Sequence, residues 1–280
     1  MDSPSIPPGR PFDQIAFIGG GNMASAIVGG LMHAGQAPAS ILIVEPLAEQ
    51  ADRLRSQFGV RVQPTGASGL DSADLVVWAV KPQVFALAAA PCAGHIGAAL
   101  QLSVMAGISS SAIARASGSG RVVRAMPNTP ALIGLGMTGL YALPQVSLDE
   151  RARVEQLLAP TGTTLWVSRE QDIDAVTALS GSGPAYVFYF IEAMIQAGTE
   201  LGLSAEQART LAQGTFSGAS ALASRSPESP ELLRQRVTSR GGTTQAAISA
   251  LDQHGVHQAF VAALHAAAQR ARELGEEFSA

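Results

Sequence analysis

Ile15-Ala16-Phe17-Ile18-Gly19-Gly20-Gly21-Asn22-Met23-Ala24 is the stretch that decides how this chain folds. Its four apolar residues predict a buried strand, its glycines a tight turn, and the segment Met23–Ala34 an amphipathic helix. A strand running through G-x-G-x-x-A into a helix is the dinucleotide fingerprint in the setting that the fingerprint requires. Gly19 would make the turn, Gly21 would let a pyrophosphate approach the backbone, and Ala24 would let helix and strand pack closely. A bare glycine triplet would be weak grounds for a nucleotide; the flanking strand and helix carry the reading.

Outward from that turn, apolar runs recur at Ile41–Glu45, Leu75–Ala79, Leu100–Met105, Val122–Met126, Met137–Tyr141 and Thr164–Val167. Helical segments Ala48–Phe58, Val84–Ile96 and Leu148–Leu158 fall between them. Such alternation demands crossover connections, so residues 12–169 are expected to form an α/β domain, a Rossmann-type doubly wound parallel sheet. Beyond about Arg169 the pattern changes. Pro184–Leu201, Ser204–Ser224, Thr243–His254 and Val256–Leu274 are long, Ala-rich and helical in period, so residues 170–280 are expected to be all-helical. Gly202 closes one of these helices, and Ser204 with Gln207 opens the next as a capping box.

Composition narrows the function classes. At 280 residues and 47% hydrophobic, with positive mean hydropathy, the chain has material for a sizeable core. Charged residues make up 14% and the net charge is −4, which argues against a nucleic-acid partner. The single cysteine, Cys92, excludes an internal disulfide framework and fits a cytoplasmic protein. No run approaches the roughly 20 apolar residues that span a bilayer, so no membrane association is expected. Residues 1–11 are rich in proline, lack a signal-peptide pattern and read as a disordered tail. Ala185–Ile195 and Val256–Ala268 are apolar around much of their circumference, which favours burial against a second subunit over a closed monomeric bundle.

Candidate site residues gather at the predicted strand ends. Glu45 stands about 20 residues past the glycine turn, where an acid binds the adenosine ribose hydroxyls of NAD. A 2′-phosphate would be repelled there unless Arg53 or Arg55 compensated. Ala79-Val80-Lys81-Pro82 ends the next long strand, and Lys81 is the only lysine among 18 Lys and Arg residues. A compact, flexible ammonium at that edge suits contact with a ribose or substrate oxygen. Met105-Ala106-Gly107 and Met126-Pro127-Asn128-Thr129-Pro130 place small or turn residues on the same edge. Near the C-terminus, Thr238-Ser239-Arg240-Gly241-Gly242-Thr243-Thr244 precedes a helical run from Gln245 to His254. Glycines beside a helix start make a socket for a small anion, with the hydroxyls free to orient a second polar atom. The plainer alternative is a Thr N-cap after a flexible turn. None of the 5 histidines has metal-ligand spacing, and no metal is expected; His254 and His257 read as surface or interface residues.

Taken together, Phe17–Met23, Ala79–Pro82, Arg124–Pro130, Leu179–Tyr186 and Ser239–Thr244 resemble the Δ1-pyrroline-5-carboxylate reductase family, in its order and over nearly the whole chain from Phe12. The last three segments are far more specific than the glycine turn. The resemblance implies a Rossmann domain followed by a helical domain that interlocks with a second subunit, a homodimer often set within a decamer. It implies a nicotinamide cofactor, NADPH or NADH, held by Gly19, Gly21, Asn22, Met23, Val80, Lys81 and Pro82, with Met105, Ala106 and Gly107 beside the nicotinamide. It implies a small-molecule substrate, 1-pyrroline-5-carboxylate, reduced to L-proline. Ser239, Gly241, Gly242, Thr243 and Thr244 would hold its carboxylate and set the Thr244 hydroxyl near the imine nitrogen; Ser239 and Thr244 are the catalytic candidates, and Asn128 is expected to meet substrate. Arg240 departs from the family's common proline. Glu45 stands where NADPH-preferring members carry small polar or basic residues, leaving both cofactors open.

Two other functions remain at this stage. A β-hydroxyacid dehydrogenase pairs a similar Rossmann domain with a helical one but needs a lysine in the helical part, and residues 169–280 have none. A non-catalytic nucleotide sensor would not require the intact Ser239–Thr244 loop.

Overall fold

The computed structural model describes residues 11–66 and 69–279. The predicted tail lies outside them, apart from residue 11. Chain contacts divide the protein into two compact bodies, one running to Gly181 and taking in the C-terminal residues from Ala267, the other spanning Ser182–Ala266.

The first body is built on β1 (Ile15–Ile18), β2 (Ile41–Val44), β3 (Arg61–Gln63), β4 (Leu75–Trp78), β5 (Leu100–Ser103), β6 (Val122–Met126), β7 (Gly136–Ala142) and β8 (Gly162–Trp166). They form one sheet in the order β3-β2-β1-β4-β5-β6-β7-β8, with every neighbour parallel except the antiparallel pair β6 and β7. The helices are α1 (Asn22–His33), α2 (Ala48–Phe58), α3 (Phe85–Ala89), α4 (Ser110–Ser117), α5 (Leu148–Leu158) and α6 (Asp172–Val176). Side chains alternate across the central strands, so each face carries its own core. Ile15 and Phe17 join Leu75, Val77, Leu100 and Leu102 beneath Ile27 and Leu31 of α1 and Leu157 of α5. Ala16 and Ile18 join Val76 and Trp78 with Phe85 of α3 and Ile113 of α4 on the other. Truncating a fully buried ring such as Phe17 would cost roughly 3–5 kcal/mol. Two polar side chains in this core pair with each other: the Trp78 indole N–H donates to Gln101 Oε1 at 2.9 Å, and the Gln101 amide donates to the carbonyls of Ile96 and Ala99.

Three elements depart from expectation. Pro82 and Pro91 confine the helix expected over Val84–Ile96 to Phe85–Ala89, with tight 3₁₀ turns on either side. β3 is short and polar, with no apolar run to announce it. The serine-rich segment around α4 conceals a helix whose N-cap Ser109 accepts the Ala112 N–H and whose C-terminus closes on Gly118 in the left-handed region.

The second body holds α7 (Gly183–Glu200), α8 (Ala205–Arg225), α9 (Pro230–Arg236), α10 (Thr243–Gln253) and the start of α11 (Val256–Ser279). The capping box at Ser204 and Gln207 forms in both directions. α9 was hidden by Pro230, which occupies the first turn behind the cap Ser229. Of the described residues of this body only Ala208 and Ala212 are buried. No residue of α7 is buried, and Tyr189 and Leu201 are 69% and 86% exposed. A groove of about 1010 Å³ lined by Tyr186, Phe190, Phe216, Leu251 and Phe260 runs through it. The change of sequence pattern at Arg169 precedes the division at Gly181, because α6 and the helical turn at Thr177–Gly181 still pack with the sheet, Val176 lying against Gly139.

Candidate active site

Strand order reverses between β1 and β4, and the crevice at their carboxyl ends is where doubly wound sheets bind ligands. The glycine turn lies there. Gly19 has φ +98°, and a Cβ on it would stand 2.7 Å from the Ala79 carbonyl oxygen, so no other residue fits. Gly20 is gripped at both ends of its backbone: its N–H donates to Glu45 Oε2 at 3.0 Å, and its carbonyl accepts from Gln50 Nε2 at 2.6 Å. Gly21 differs. It is the N-cap of α1 in extended conformation, α1 has no side-chain cap, and a Cβ on Gly21 would meet nothing within 4 Å. The unpaired N–H groups of the first turn of α1, in the reach of Asn22 and Met23, thus border an open cradle at the positive end of a helix. That geometry fits a pyrophosphate.

Glu45 follows β2 beside this cradle, as its spacing predicted, and is 8% exposed. Both its oxygens are engaged, Oε2 by Gly20 and Oε1 by the Leu47 N–H at 2.9 Å. The same carboxylate that could meet a ribose therefore also fixes the turn. Arg53 and Arg55 are held on the surface by Glu49 and Asp52, in pairs of little energetic worth. Val80 packs against the core while Lys81 is exposed and leads, through Pro82, into a turn closed by the Val84 N–H on the Lys81 carbonyl.

At the end of β5 Met105 is buried, and its N–H donates to Ser103 Oγ. Ala106 follows, half-buried, and Gly107 takes φ +74°. A Cβ on Gly107 would stand 3.1 Å from the Phe278 ring and 3.3 Å from the Leu274 carbonyl, so α11 packs directly on this loop. Asn128, at the end of β6, spends its amide on the backbone: Nδ2 donates to the Ser180 carbonyl and Oδ1 accepts the Met137 N–H. Sequence reasoning missed Gln50 and Ser103. Gln50 carries no signal beyond its place in the first turn of the helix after β2, and Ser103 only that it ends a strand.

The other candidate residues lie in the second body. Gly242 donates its N–H to the Ser239 carbonyl at 3.0 Å, Gly241 takes φ +75° and its N–H donates to Gln245 Oε1. Gly242 is the N-cap of α10, extended and without a side-chain cap. The helix thus begins at Thr243, and the Thr N-cap reading fails because both threonines sit inside the first turn. Thr243 is exposed and Thr244 half-buried. A Cβ on Gly242 would fall 2.6 Å from Ser239 Oγ. As at Gly21, the open N–H groups of a helix's first turn follow a glycine, here with hydroxyls on both sides.

Residues 170–274 match the family described as pyrroline-5-carboxylate reductase dimerisation, and residues 14–107 match the one described as NADP oxidoreductase, coenzyme F420-dependent. The chain is 44% identical to the pyrroline-5-carboxylate reductase of Pseudomonas aeruginosa, covering 94% of this chain and 97% of that one. A solved pyrroline-5-carboxylate reductase from Coxiella burnetii superposes with TM-score 0.85 at 38% identity, covering 94% of this chain and 98% of the other. The Plasmodium falciparum pyrroline carboxylate reductase, solved with NADP bound, gives TM-score 0.86 at 26% identity over 95% of this chain and 100% of its own. Among the described residues no helix is long and apolar enough to cross a membrane. With the glycine turn, the Val-Lys-Pro turn and the Gly-Gly-Thr-Thr loop all in place, this chain belongs to the pyrroline-5-carboxylate reductase family.

Proposed function

We propose that the protein reduces 1-pyrroline-5-carboxylate to L-proline, the last step of proline biosynthesis, with NADH or NADPH as hydride donor. The observation that carries this reading is the pair of uncapped helix starts behind glycine turns, at Gly21 and at Gly242. One suits a pyrophosphate. The other, edged by Ser239, Thr243 and Thr244, suits a carboxylate attached to a second polar atom.

A protonated cyclic imine accepts hydride readily, so the chain's task is to hold two reactants in register and exclude water. When bound, the reduced nicotinamide supplies the hydride. Gly19, Gly21, Asn22 and Met23 hold the pyrophosphate, Val80, Lys81 and Pro82 border the ribose, and Met105, Ala106 and Gly107 offer small side chains and backbone to the ring. In the second body Gly241 and Gly242 shape the socket, their own N–H groups being spent on Gln245 and Ser239, and the substrate carboxylate takes the open backbone N–H groups of the first turn of α10 from Thr243 onward. The Thr244 hydroxyl, aided by Ser239, donates to the ring nitrogen as the C=N electron pair moves onto it. Asn128 contributes through the turn it ties, since its own amide is committed. Glu45 inclines the site towards NADH. Residues 12–169 then form the cofactor domain and 170–280 the substrate and subunit domain, in a cytoplasmic homodimer that can assemble further into a decamer. The exposed apolar groove of the second body supports that pairing.

Cofactor oxidation with and without racemic 1-pyrroline-5-carboxylate tests the reading. Imine-dependent oxidation with L-proline as product is expected. A protein that binds cofactor but turns over only a hydroxyacid, or nothing, would refute it.

A further inference from the structure

Beside the Met105–Gly107 loop lies a cleft of about 360 Å³, lined by Gly107, Ser109, Arg124, Glu170, Asp174 and Arg272 among others. Glu170 organises it. Its Oε1 accepts the Ser110 backbone N–H at 2.6 Å, its Oε2 accepts the Ser110 hydroxyl at 2.6 Å, and Arg124 Nη1 donates to Oε1 at 2.9 Å. Ser110 is the first residue of α4, so the carboxylate sits at the positive end of that helix while reaching it from beyond β8. Burial alone would raise the pKa of Glu170, but the two Ser110 donors and the Arg124 charge outweigh it and hold the carboxyl below its ordinary range. The carboxylate is therefore an ion in the folded protein.

What this tie holds is the six-residue connection from β5 to α4. That connection is anchored at its start by Ser103 Oγ on the Met105 N–H and at its middle by Leu274 and Phe278 against Gly107. At its far end Ile108 is buried in the core, and the Glu170–Ser110 pair of bonds is the polar tie across to the segment after β8. A serine side-chain bond at one end, apolar packing in the middle and a charge-assisted bond at the other restrain the loop along its length. Arg124, only 6% exposed on β6, keeps the carboxylate from turning away.

We infer that Glu170 is a positioning residue: by clamping Ser110 it sets the Met105–Gly107 backbone at the height where it meets the nicotinamide ring. The inference rests on the reading of residues 105–107 given under the proposed function. It concerns the nicotinamide end of the cofactor alone. The adenine end is held by the β1 and β2 turns, which share no bond with Glu170.

Glu170→Gln keeps the shape but removes the charge, so the bonds from the Ser110 N–H and Arg124 lose their ionic partner and the Ser110 hydroxyl must turn from donor to acceptor. Ser110→Ala removes only the hydroxyl and serves if the first variant does not fold. Each is compared with the wild-type full-length protein in its affinity for ADP-ribose and for NADH, in the fluorescence of the bound nicotinamide, and in steady-state kinetics. The expected result is ADP-ribose affinity within about twofold of wild type, altered nicotinamide fluorescence, and kcat lowered about tenfold or more with KM for the imine nearly unchanged. Glu170→Asp, which retains the charge, should recover part of the loss. Equal weakening of ADP-ribose and NADH, or unchanged fluorescence and kcat, overturns the inference. If the wild type itself reduces no imine, the proposed reaction fails, while the ADP-ribose and fluorescence comparison still decides what Glu170 does.

Discussion

The turns at Gly19–Gly21 and Gly241–Gly242 share a local design and differ in what holds them. Each places a glycine of positive φ ahead of a glycine that opens an uncapped helix. The first is built by distant residues: Ala79 closes on Gly19, Glu45 and Gln50 seize Gly20, and Leu54 packs beneath. The second is built by its own neighbours, Ser239 and Gln245, and a Cβ on Gly241 would meet nothing within 4 Å. Their bodies differ in the same sense. Around the first turn the apolar side chains are buried in two cores, whereas α7 buries none of its residues. A pocket made by tertiary contacts is ready before its ligand arrives; one made by a local turn on an open helical body relies on ligand and subunit to complete it.

The sharpest way to break this contrast is Gly19→Ala. Left-handed strain of about 1–2 kcal/mol and overpacking of about 1–3 kcal/mol fall on one residue, so a Tm lower by roughly 5–15 °C is expected, with loss of cofactor binding. Calorimetry and NADH titration measure both, and normal values would mean that the turn is not preformed. Thr244→Ala probes the other turn. Cofactor affinity and Tm should hold while kcat falls by about a hundredfold, because the hydroxyl acts chiefly as the nitrogen gains electron density. A kcat within about twofold of wild type would reduce Thr244 to a helix residue.

Glu45→Ser asks what a tertiary tie is worth. Two charges a few Å apart near a surface interact by roughly 1–4 kcal/mol before screening, so kcat/KM should shift at least about tenfold towards NADPH. NADH use should also weaken, because Gly20 and Leu47 lose their acceptor. If wild type already favours NADPH strongly and the variant does not move, Glu45 serves only to hold the turn.

The smallest effect expected separates the bodies by pH. Each has a capping box, but the first closes on Glu150 and the second on Gln207. Burial would raise the Glu150 carboxyl, yet Ser147 and the Arg121 guanidinium bring it below its ordinary value of 4.5. A depressed carboxylate contributes its stability above that value and loses it as pH falls through the folded one. The Tm advantage of wild type over Glu150→Gln should therefore be full at neutral pH and be lost as pH falls from 4.5 through the depressed folded value. A gap that persists in acid would mean the charge plays no part.

Much of this was legible in the sequence because it is local. The strand, glycines and helix of residues 15–34 predict their own conformation and, through the fingerprint, the sheet around them. The Ser204–Gln207 box and the Gly-Gly-Thr-Thr loop are equally self-contained. What stayed hidden depends on partners far along the chain. Nothing near Gln50 says that its amide will hold Gly20, nor near Glu170 that it will reach Ser110 across 60 positions. Asn128 was legible as a strand-end polar group, but its partners Ser180 and Met137 are known only from the fold. α4 and α9 were obscured because serine and proline suit helix starts as well as loops.

The division of labour between the two turns is tested most directly by removing the substrate's charge. NADH oxidation is followed with 1-pyrroline-5-carboxylate and with 1-pyrroline, the same ring without the carboxylate, on wild type and on Gly242→Ala. An anion socket at α10 predicts that wild type prefers the carboxylate by about a hundredfold or more in kcat/KM, and that Gly242→Ala loses most of this preference through KM while binding NADH normally. Equal rates on both rings, or a preference that survives in the variant, would contradict it and move the carboxylate to another site.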